Sequence, residues 1–73
     1  MKITYDKIAD AMYIYVKKAK VAKSVEINDH TIIDVDSVGG LIGIELLAAS
    51  KFVPKKLIKS SIQLSGIRKT ITI

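Results

Sequence analysis

The stretch Asp34–Ser50 limits most strongly what this chain can fold into. Two adjacent glycines, Gly39 and Gly40, separate two runs of β-branched and aliphatic residues. Glycine tolerates the positive φ angles of tight turns, so this arrangement predicts a β-hairpin. Its strands are expected at Thr31–Val35 and Leu41–Leu47.

Three more strands are predicted before this hairpin, because apolar and polar residues alternate with the period of a half-buried strand. They are expected at Lys2–Asp6, Ala11–Val16 and Val21–Asn28. The second is continuously apolar or aromatic, which favours burial on both faces. The intervening turns read as two to five residues, too short for a parallel crossover. The sequence therefore predicts an antiparallel meander in which each strand pairs with the next.

A short helix and a further strand are predicted after the meander. Pro54 suits the first turn of a helix over Pro54–Ser61. Ser65 and Gly66 then interrupt it, and the alternation of residues 67–73 favours a final strand. This strand would pair with the edge of the meander or with a second subunit. The fold class is α+β, and the apolar side of the helix is expected to consist of Leu57, Ile58, Ser61 and Ile62.

Self-association is the expected supplement to the small core. A chain of 73 residues forms one domain and buries only about 60–65% of its unfolded surface. It contains no cysteine and so no disulfide can stabilise it. Yet 49% of its residues are hydrophobic. A surplus of apolar residues over a thin sheet indicates a homo-oligomer, most simply a dimer.

The net charge of +5 favours encounters with polyanions without defining a site. Lysine supplies eleven of the twelve basic residues, and it lacks the bidentate fork with which arginine reads bases. No apolar run approaches the ~18 residues of a membrane span, and no secretory signal pattern opens the chain. We expect a cytoplasmic protein with no membrane association.

Several short motifs occur along the chain in a recognisable order: Tyr5-Asp6, Ala9-Asp10-Ala11, Tyr13-Ile14, Val25-Glu26, Asp34, Asp36 and Gly40–Ser50. Together they resemble a family of small prokaryotic proteins known as domain of unknown function 2283. The resemblance covers residues 2–51, with Met12 and Ile8 as departures, and leaves residues 52–73 as a basic C-terminal extension. The family has no assigned activity, cofactor or catalytic residue. It implies only that an antitoxin-like or partner-binding role is conceivable, since such domains accompany toxin-like proteins in some gene neighbourhoods.

A cation site formed by Asp34 and Glu45 depends on the register of the hairpin. A four-residue loop at 37–40 pairs Asp34 with Gly43 and puts both carboxylates on one face. A five-residue loop reverses the parity and separates them. The simpler interpretation is that Asp36 makes a local turn contact while Asp34 and Glu45 pair with lysines.

Other polar residues have simple structural explanations. Asp6 and Asp10 lie four residues apart in a turn and suit backbone capping better than cation binding. His30 lies beside Asp29, but a catalytic pair would also need a nucleophile within hydrogen-bond reach, and the sequence singles out none of its serines. His30 is therefore interpreted as an ordinary turn residue. The glycines lead into a strand, so they are not a phosphate-binding loop.

Basic residues are concentrated in the last third of the chain, where no acidic residue follows Glu45. Such a surface could contact phosphates. Only Phe52 is available nearby as a stacking aromatic, whereas single-strand binders usually interleave several. A solubilising surface or an acidic protein partner is the alternative. The residues concerned are Lys51, Lys55, Lys56, Lys59, Arg68 and Lys69.

These observations favour a non-enzymatic interaction module without a cofactor, homodimeric, in an antitoxin-like or regulatory pairing. The alternative is a nucleic-acid-binding accessory protein that uses the basic last third. An enzyme assisted by a metal at Asp34 and Glu45 is the remote alternative.

Overall fold

A single antiparallel sheet organises the computed structural model, which describes residues 2–61 and 68–72, with side chains for residues 2–59. Its order is β3-β4-β5-β2-β1-β6. The elements are β1 (Lys2–Asp6), β2 (Ala11–Tyr15), β3 (Lys23–Asn28), β4 (Thr31–Val35), β5 (Leu41–Leu46), a 3-10 helix (Ala49–Lys51), α1 (Lys55–Ser61) and β6 (Arg68–Thr72). None of the helices in these ranges is long and apolar enough to cross a membrane.

The predicted meander is wrong in one respect: β2 does not pair with β3. β2 lies between β1 and β5, and the chain crosses from β2 to the far edge of the sheet through residues 16–22. This connection is longer than the turn predicted there. The two strands differ in how many apolar residues they contain, and this difference explains their positions in the sheet. The apolar β2 gains a hydrogen-bonded neighbour on each side, while β3, rich in charged and polar residues, takes the exposed edge.

The hairpin between β4 and β5 combines features of both predicted registers. Val35 pairs with Leu41, so the loop has five residues, 36–40. A bulge between the Asp34 and Val35 pairs then leaves Ile42 as an extra residue and pairs Asp34 with Gly43. The expectation that a five-residue loop separates Asp34 from Glu45 is therefore wrong, because the bulge restores the parity.

The register gives the sheet one apolar and one polar face. On the apolar face, Ile3 pairs with Ile14, Ile14 with Ile44, Ile44 with Ile33, and Ile33 with Val25. The alternate residues form the opposite face, which we call the polar face. It carries Lys2, Thr4, Tyr13, Tyr15, Ser24, Glu26, Ile32, Asp34, Gly43 and Glu45.

The core lies under the two helices at the β1 and β2 side of the apolar face. Ile3, Tyr5, Met12, Ala49 and Ile58 form its buried cluster. Met12 is 1% exposed, and full burial of such a side chain contributes roughly 1.5–3 kcal/mol. β2 was predicted to be buried on both faces. Its apolar side is buried or packed on the core, whereas its two tyrosines on the polar face remain partly exposed.

The helix was predicted to begin at Pro54, and it runs from Lys55 to Ser61. The carbonyl of Pro54 accepts the amides of Leu57 and Ile58, so proline immediately precedes the first helical residue. Leu57 and Ile58 face the core as expected. β6 pairs with β1 of the same chain. Predictions for Ile62, Ser65, Gly66, Ile67 and Ile73 lie outside the described residues, as does the side chain of Ser61.

Candidate interaction site

A hydroxyl and carboxylate cluster occupies the middle of the polar face. The Tyr13 hydroxyl donates to Asp34 Oδ2 at 2.5 Å, and Ser24 Oγ donates to Asp34 Oδ1 at 2.6 Å. Strand pairing brings the three residues together from β2, β3 and β4. Each carboxylate oxygen therefore has a hydroxyl donor, and the two hydrogen bonds connect β4 to its neighbour β3 and, across β5, to β2.

Gly43 makes room for the Tyr13 ring. A Cβ atom at this glycine would lie 2.3 Å from the Tyr13 hydroxyl oxygen and 2.5 Å from Cζ. Burial, and then the hydrogen bond to Asp34, raise the pKa of Tyr13 above that of a free tyrosine. Tyr15 packs edge-on against Tyr13 with ring centroids 4.4 Å apart, and Lys2 Nζ lies 4.6 Å from the Tyr15 centroid. The aromatic pair thus covers β5 where it has no side chain.

A second carboxylate, Asp10, joins the first turn to the 3-10 helix. It accepts the Tyr5 hydroxyl at 2.5 Å, the Ser50 hydroxyl at 2.6 Å and the Ser50 amide at 3.0 Å. Its own carbonyl accepts the amide of Ala49 at 2.9 Å. The bonds from Ser50 and then Tyr5 lower the pKa of Asp10, while burial and the contact with Asp10 raise the pKa of Tyr5 to about 12.

Asp36 stabilises the hairpin loop. Its Oδ1 accepts the amides of Val38 at 3.0 Å and Gly40 at 2.7 Å, and its Oδ2 binds Lys17 Nζ at 2.5 Å. The hydrogen bond from Lys17 is the main cause of the lowered pKa of Asp36. The predicted local turn contact of Asp36 is present, and it also holds the start of the β2 to β3 crossover.

The predicted cation site has its two carboxylates on one face, since Asp34 pairs with Gly43 and Ile32 pairs with Glu45. Both oxygens of Asp34, however, already accept hydroxyl hydrogen bonds. Across residues 2–61 and 68–72, no group of three or more metal-ligating side chains could hold an ion. A cation at Asp34 and Glu45 stays a prediction, and it would have to compete with Tyr13 and Ser24.

Asp6 and His30 have local contacts. Asp6 Oδ1 accepts the amides of Ile8 at 3.0 Å and Ala9 at 3.1 Å, as expected for a capping residue. The His30 ring packs on Phe52 with centroids 4.3 Å apart. The two rings lie at the edge of a shallow pocket of about 220 Å³, whose lining is Asn28, His30, Thr31, Leu46, Leu47 and Phe52.

The predicted basic surface is partly brought together by α1. Lys55, Lys56 and Lys59 are exposed residues of this helix, and Lys51 is exposed in the 3-10 helix before it. Arg68 and Lys69 lie on β6, paired with Asp6 and Tyr5 of β1. Four of the six predicted basic residues therefore lie on the two helices, and the other two lie on the edge strand β6.

A partly exposed aliphatic patch lies on the apolar face, outside the buried cluster. We define the open apolar face as Val25, Ile33, Val35 and Ile44, contributed by β3, β4 and β5. All four are partly exposed, and none belongs to the buried cluster under the helices. Ile14 packs against that cluster and marks the boundary. In the part of the chain that the structure describes, the helices cover only the other half of this face.

Sequence reasoning missed the partners of the carboxylates. Tyr13 and Tyr15 were assigned to core strands, and Ser24 and Ser50 to no site. The sequence pattern that could have revealed the contact is the alternation of residues along β2. It puts Tyr13 on the opposite side of β2 from Met12 and Ile14, which is the side of the sheet that also carries Asp34. Without the β2 to β5 pairing, that signal named no partner.

Comparison with known proteins places these residues in a family. The sequence model described as "Protein of unknown function (DUF2283)" matches residues 2–50 and confirms the resemblance noted above. The chain is also similar to an uncharacterized protein of Methanocaldococcus jannaschii, at 41% identity over 51 residues. That alignment covers 70% of this chain and 43% of the relative, so the chain spans less than half of the relative's length. No solved structure gives a significant match. The chain belongs to the family of proteins of unknown function DUF2283.

Proposed function

We propose that this protein is a non-enzymatic interaction module whose binding surface is the open apolar face. The observation that carries the proposal is that Val25, Ile33, Val35 and Ile44 form a continuous aliphatic patch outside the covered core. A sheet face of this kind is stabilised when another layer removes it from water. The module works as a homodimer, in an antitoxin-like or regulatory pairing.

The polar groups support a binding role over a catalytic one. Asp10, Asp34 and Asp36 each accept hydrogen bonds that hold two or more elements of the fold together. A general base needs a carboxylate that can reach a substrate proton. These three carboxylates are instead engaged by tyrosine, serine, lysine or backbone donors, which accounts for them as structural residues.

The test is whether the face is covered in its native setting. Methyl NMR with a soluble paramagnetic probe reports the accessibility of individual methyl groups. In an extract of the native host, we expect the methyls of Ile33 and Ile44 to be more protected than in the dilute purified protein, while the methyl of Ile8, whose side chain is 89% exposed, is equally accessible in both. If Ile33 and Ile44 are as accessible in the extract as in the dilute purified protein, the open apolar face binds no protein and the proposal is wrong.

Nucleic-acid binding is the second candidate, favoured by the grouping of exposed lysines along α1. If it is correct, reversing Lys55, Lys56 and Lys59 to glutamate should weaken binding to mixed oligonucleotides and flatten its salt dependence. The matched control reverses Lys7, Lys18 and Lys20, which are exposed elsewhere. Equal losses in both triple variants would indicate attraction by net charge alone, without a surface on α1.

A further inference from the structure

We propose that the occupant of the open apolar face is a second copy of this chain, stacked face to face with its strands reversed. In this arrangement Lys23 of each copy lies against Asp29 of the other. The inference rests on the proposed function and names the partner and geometry of the same surface. Three observations carry it: the missing layer, the composition of the patch, and the positions of these two charges.

Among residues 2–61 and 68–72, no second layer covers one half of the apolar face. Domains bury each sheet face against another layer of secondary structure. Here the seven residues of α1 and the short 3-10 helix supply that layer for β1 and β2. A second sheet packed at about 10 Å would supply it for β3, β4 and β5.

The patch is suited to contact with itself. Its four residues are all aliphatic, and a two-fold contact requires that one surface be complementary to an identical copy. Strands of five to six residues, four abreast when Ile14 of β2 is included, give a footprint of roughly 340 Å² at ordinary strand spacing. Two such footprints amount to about 680 Å², which is less than the roughly 1,200 Å² of a standard specific interface, so we expect a weak dimer that is dissociated at micromolar concentration.

Charge selects the orientation of the two sheets. Lys23 pairs with Val35 and lies on the apolar face at one end of β3, while Asp29 lies in the turn at the other end. Consider a two-fold axis that lies between the two sheets and runs perpendicular to the strands. It places β3 of one copy over β3 of the other, with the two strands running in opposite directions. Each Lys23 then meets an Asp29, and the contact occurs twice.

The other in-plane axis, parallel to the strands, gives a less favourable contact. It stacks β3 over β2 at the same end and brings Lys23 towards Lys18, which follows β2, while the charge of the adjacent Lys17 is already paired with Asp36. Like charges at this position oppose association. Among the described side chains, neither Lys23 nor Asp29 forms an ion pair within its own chain, and both are exposed. Both are therefore available to a second copy.

Charge exchange tests the geometry by sedimentation equilibrium of the purified full chain. We expect Lys23→Asp and Asp29→Lys each to weaken the dimer, by about tenfold in Kd for two reversed contacts. An equimolar mixture of the two variants should restore the wild-type affinity, because each contact in the mixed dimer again joins a lysine to an aspartate. The double variant should restore it too. Loss in the single variants without recovery in the mixture overturns this orientation.

A second pair of variants tests the surface itself. Val25→Lys puts a charge on the open apolar face and should abolish the dimer, whereas Val38→Lys, at a valine that is 89% exposed in the hairpin loop, should leave it intact. If the wild-type protein is a monomer at millimolar concentration while host extract still protects Ile33 and Ile44, the partner is a different protein. In that case this inference and the homodimeric part of the proposed function are wrong, while the open apolar face stands as the binding surface.

Discussion

The two halves of the apolar face have the same alternation of aliphatic residues and different surroundings. Around β1 and β2, Ile3, Tyr5 and Met12 are at most 5% exposed, whereas Ile33 and Ile44 on the neighbouring strands remain partly exposed. The difference arises because α1 is short and packs against β1 and β6. Periodicity therefore identifies which side of a strand is apolar, and the connectivity decides whether anything covers it.

The largest difference in stability between the two halves is expected when a central side chain of each half is shortened to alanine. Met12→Ala should destabilise the protein by about 2–5 kcal/mol, since it opens a cavity in the covered core. Ile33→Ala should cost less in the monomer, because part of its surface is already in contact with water. Urea denaturation at several protein concentrations measures both. An equal cost in the dilute monomer would contradict the contrast between covered and open halves.

On the polar face, Gly43→Ala is expected to be the next most damaging change. The new methyl group would overlap the Tyr13 ring, which must move and weaken its bond to Asp34. Overpacking of this kind costs about 1–3 kcal/mol. Combining Gly43→Ala with Tyr13→Ala gives the control in a thermodynamic cycle. If Gly43→Ala costs the same with and without the tyrosine ring, the close approach is not the cause.

An effect of similar size is expected at Asp10, which connects the covered half to the segment leading into α1. Asp10→Ala removes the acceptor of Tyr5 and Ser50 from a residue with φ of 51°, and should cost about 1–3 kcal/mol. Asp10→Asn keeps one acceptor oxygen and a side chain that tolerates left-handed φ, so it should cost less. Thermal unfolding of both variants shows which of them is less stable. If Asp10→Ala is more stable than Asp10→Asn, the hydrogen bonds to Asp10 do not account for its contribution to stability.

The smallest effect is a loss of stability in alkali. The pKa of Tyr5 is raised from 10.0 to about 12 in the folded protein, so the folded state holds the phenol proton more tightly than the unfolded chain. This contribution is fully present below pH 10 and is lost as the pH rises towards about 12. Tyr13 acts in the same direction. Tyr5→Phe should therefore reduce the decline of the urea midpoint above pH 10, and an unchanged decline would exclude Tyr5 as a contributor.

The six described strands and the short helix could be predicted from local pattern, as could the turn contacts of Asp6 and Asp36. Strand alternation depends on neighbouring residues, and a capping aspartate reaches amides two to four residues away. Asp10 was also interpreted as a turn residue, but its contact with Ser50 spans 40 positions. That contact depends on where the chain returns after β5.

The tertiary structure alone decided the neighbour of each strand. Sequence separation favoured β3 beside β2, but the apolar β2 took an interior position and the polar β3 an edge. That exchange put Tyr13 over Gly43 and within reach of Asp34. It also left Val25, Ile33, Val35 and Ile44 beyond the reach of the helix. The sequence by itself determined an apolar and a polar side for each strand, since side-chain direction follows from the two-residue period. Which part of the apolar side stays open depends on long-range pairing, which no local pattern encodes.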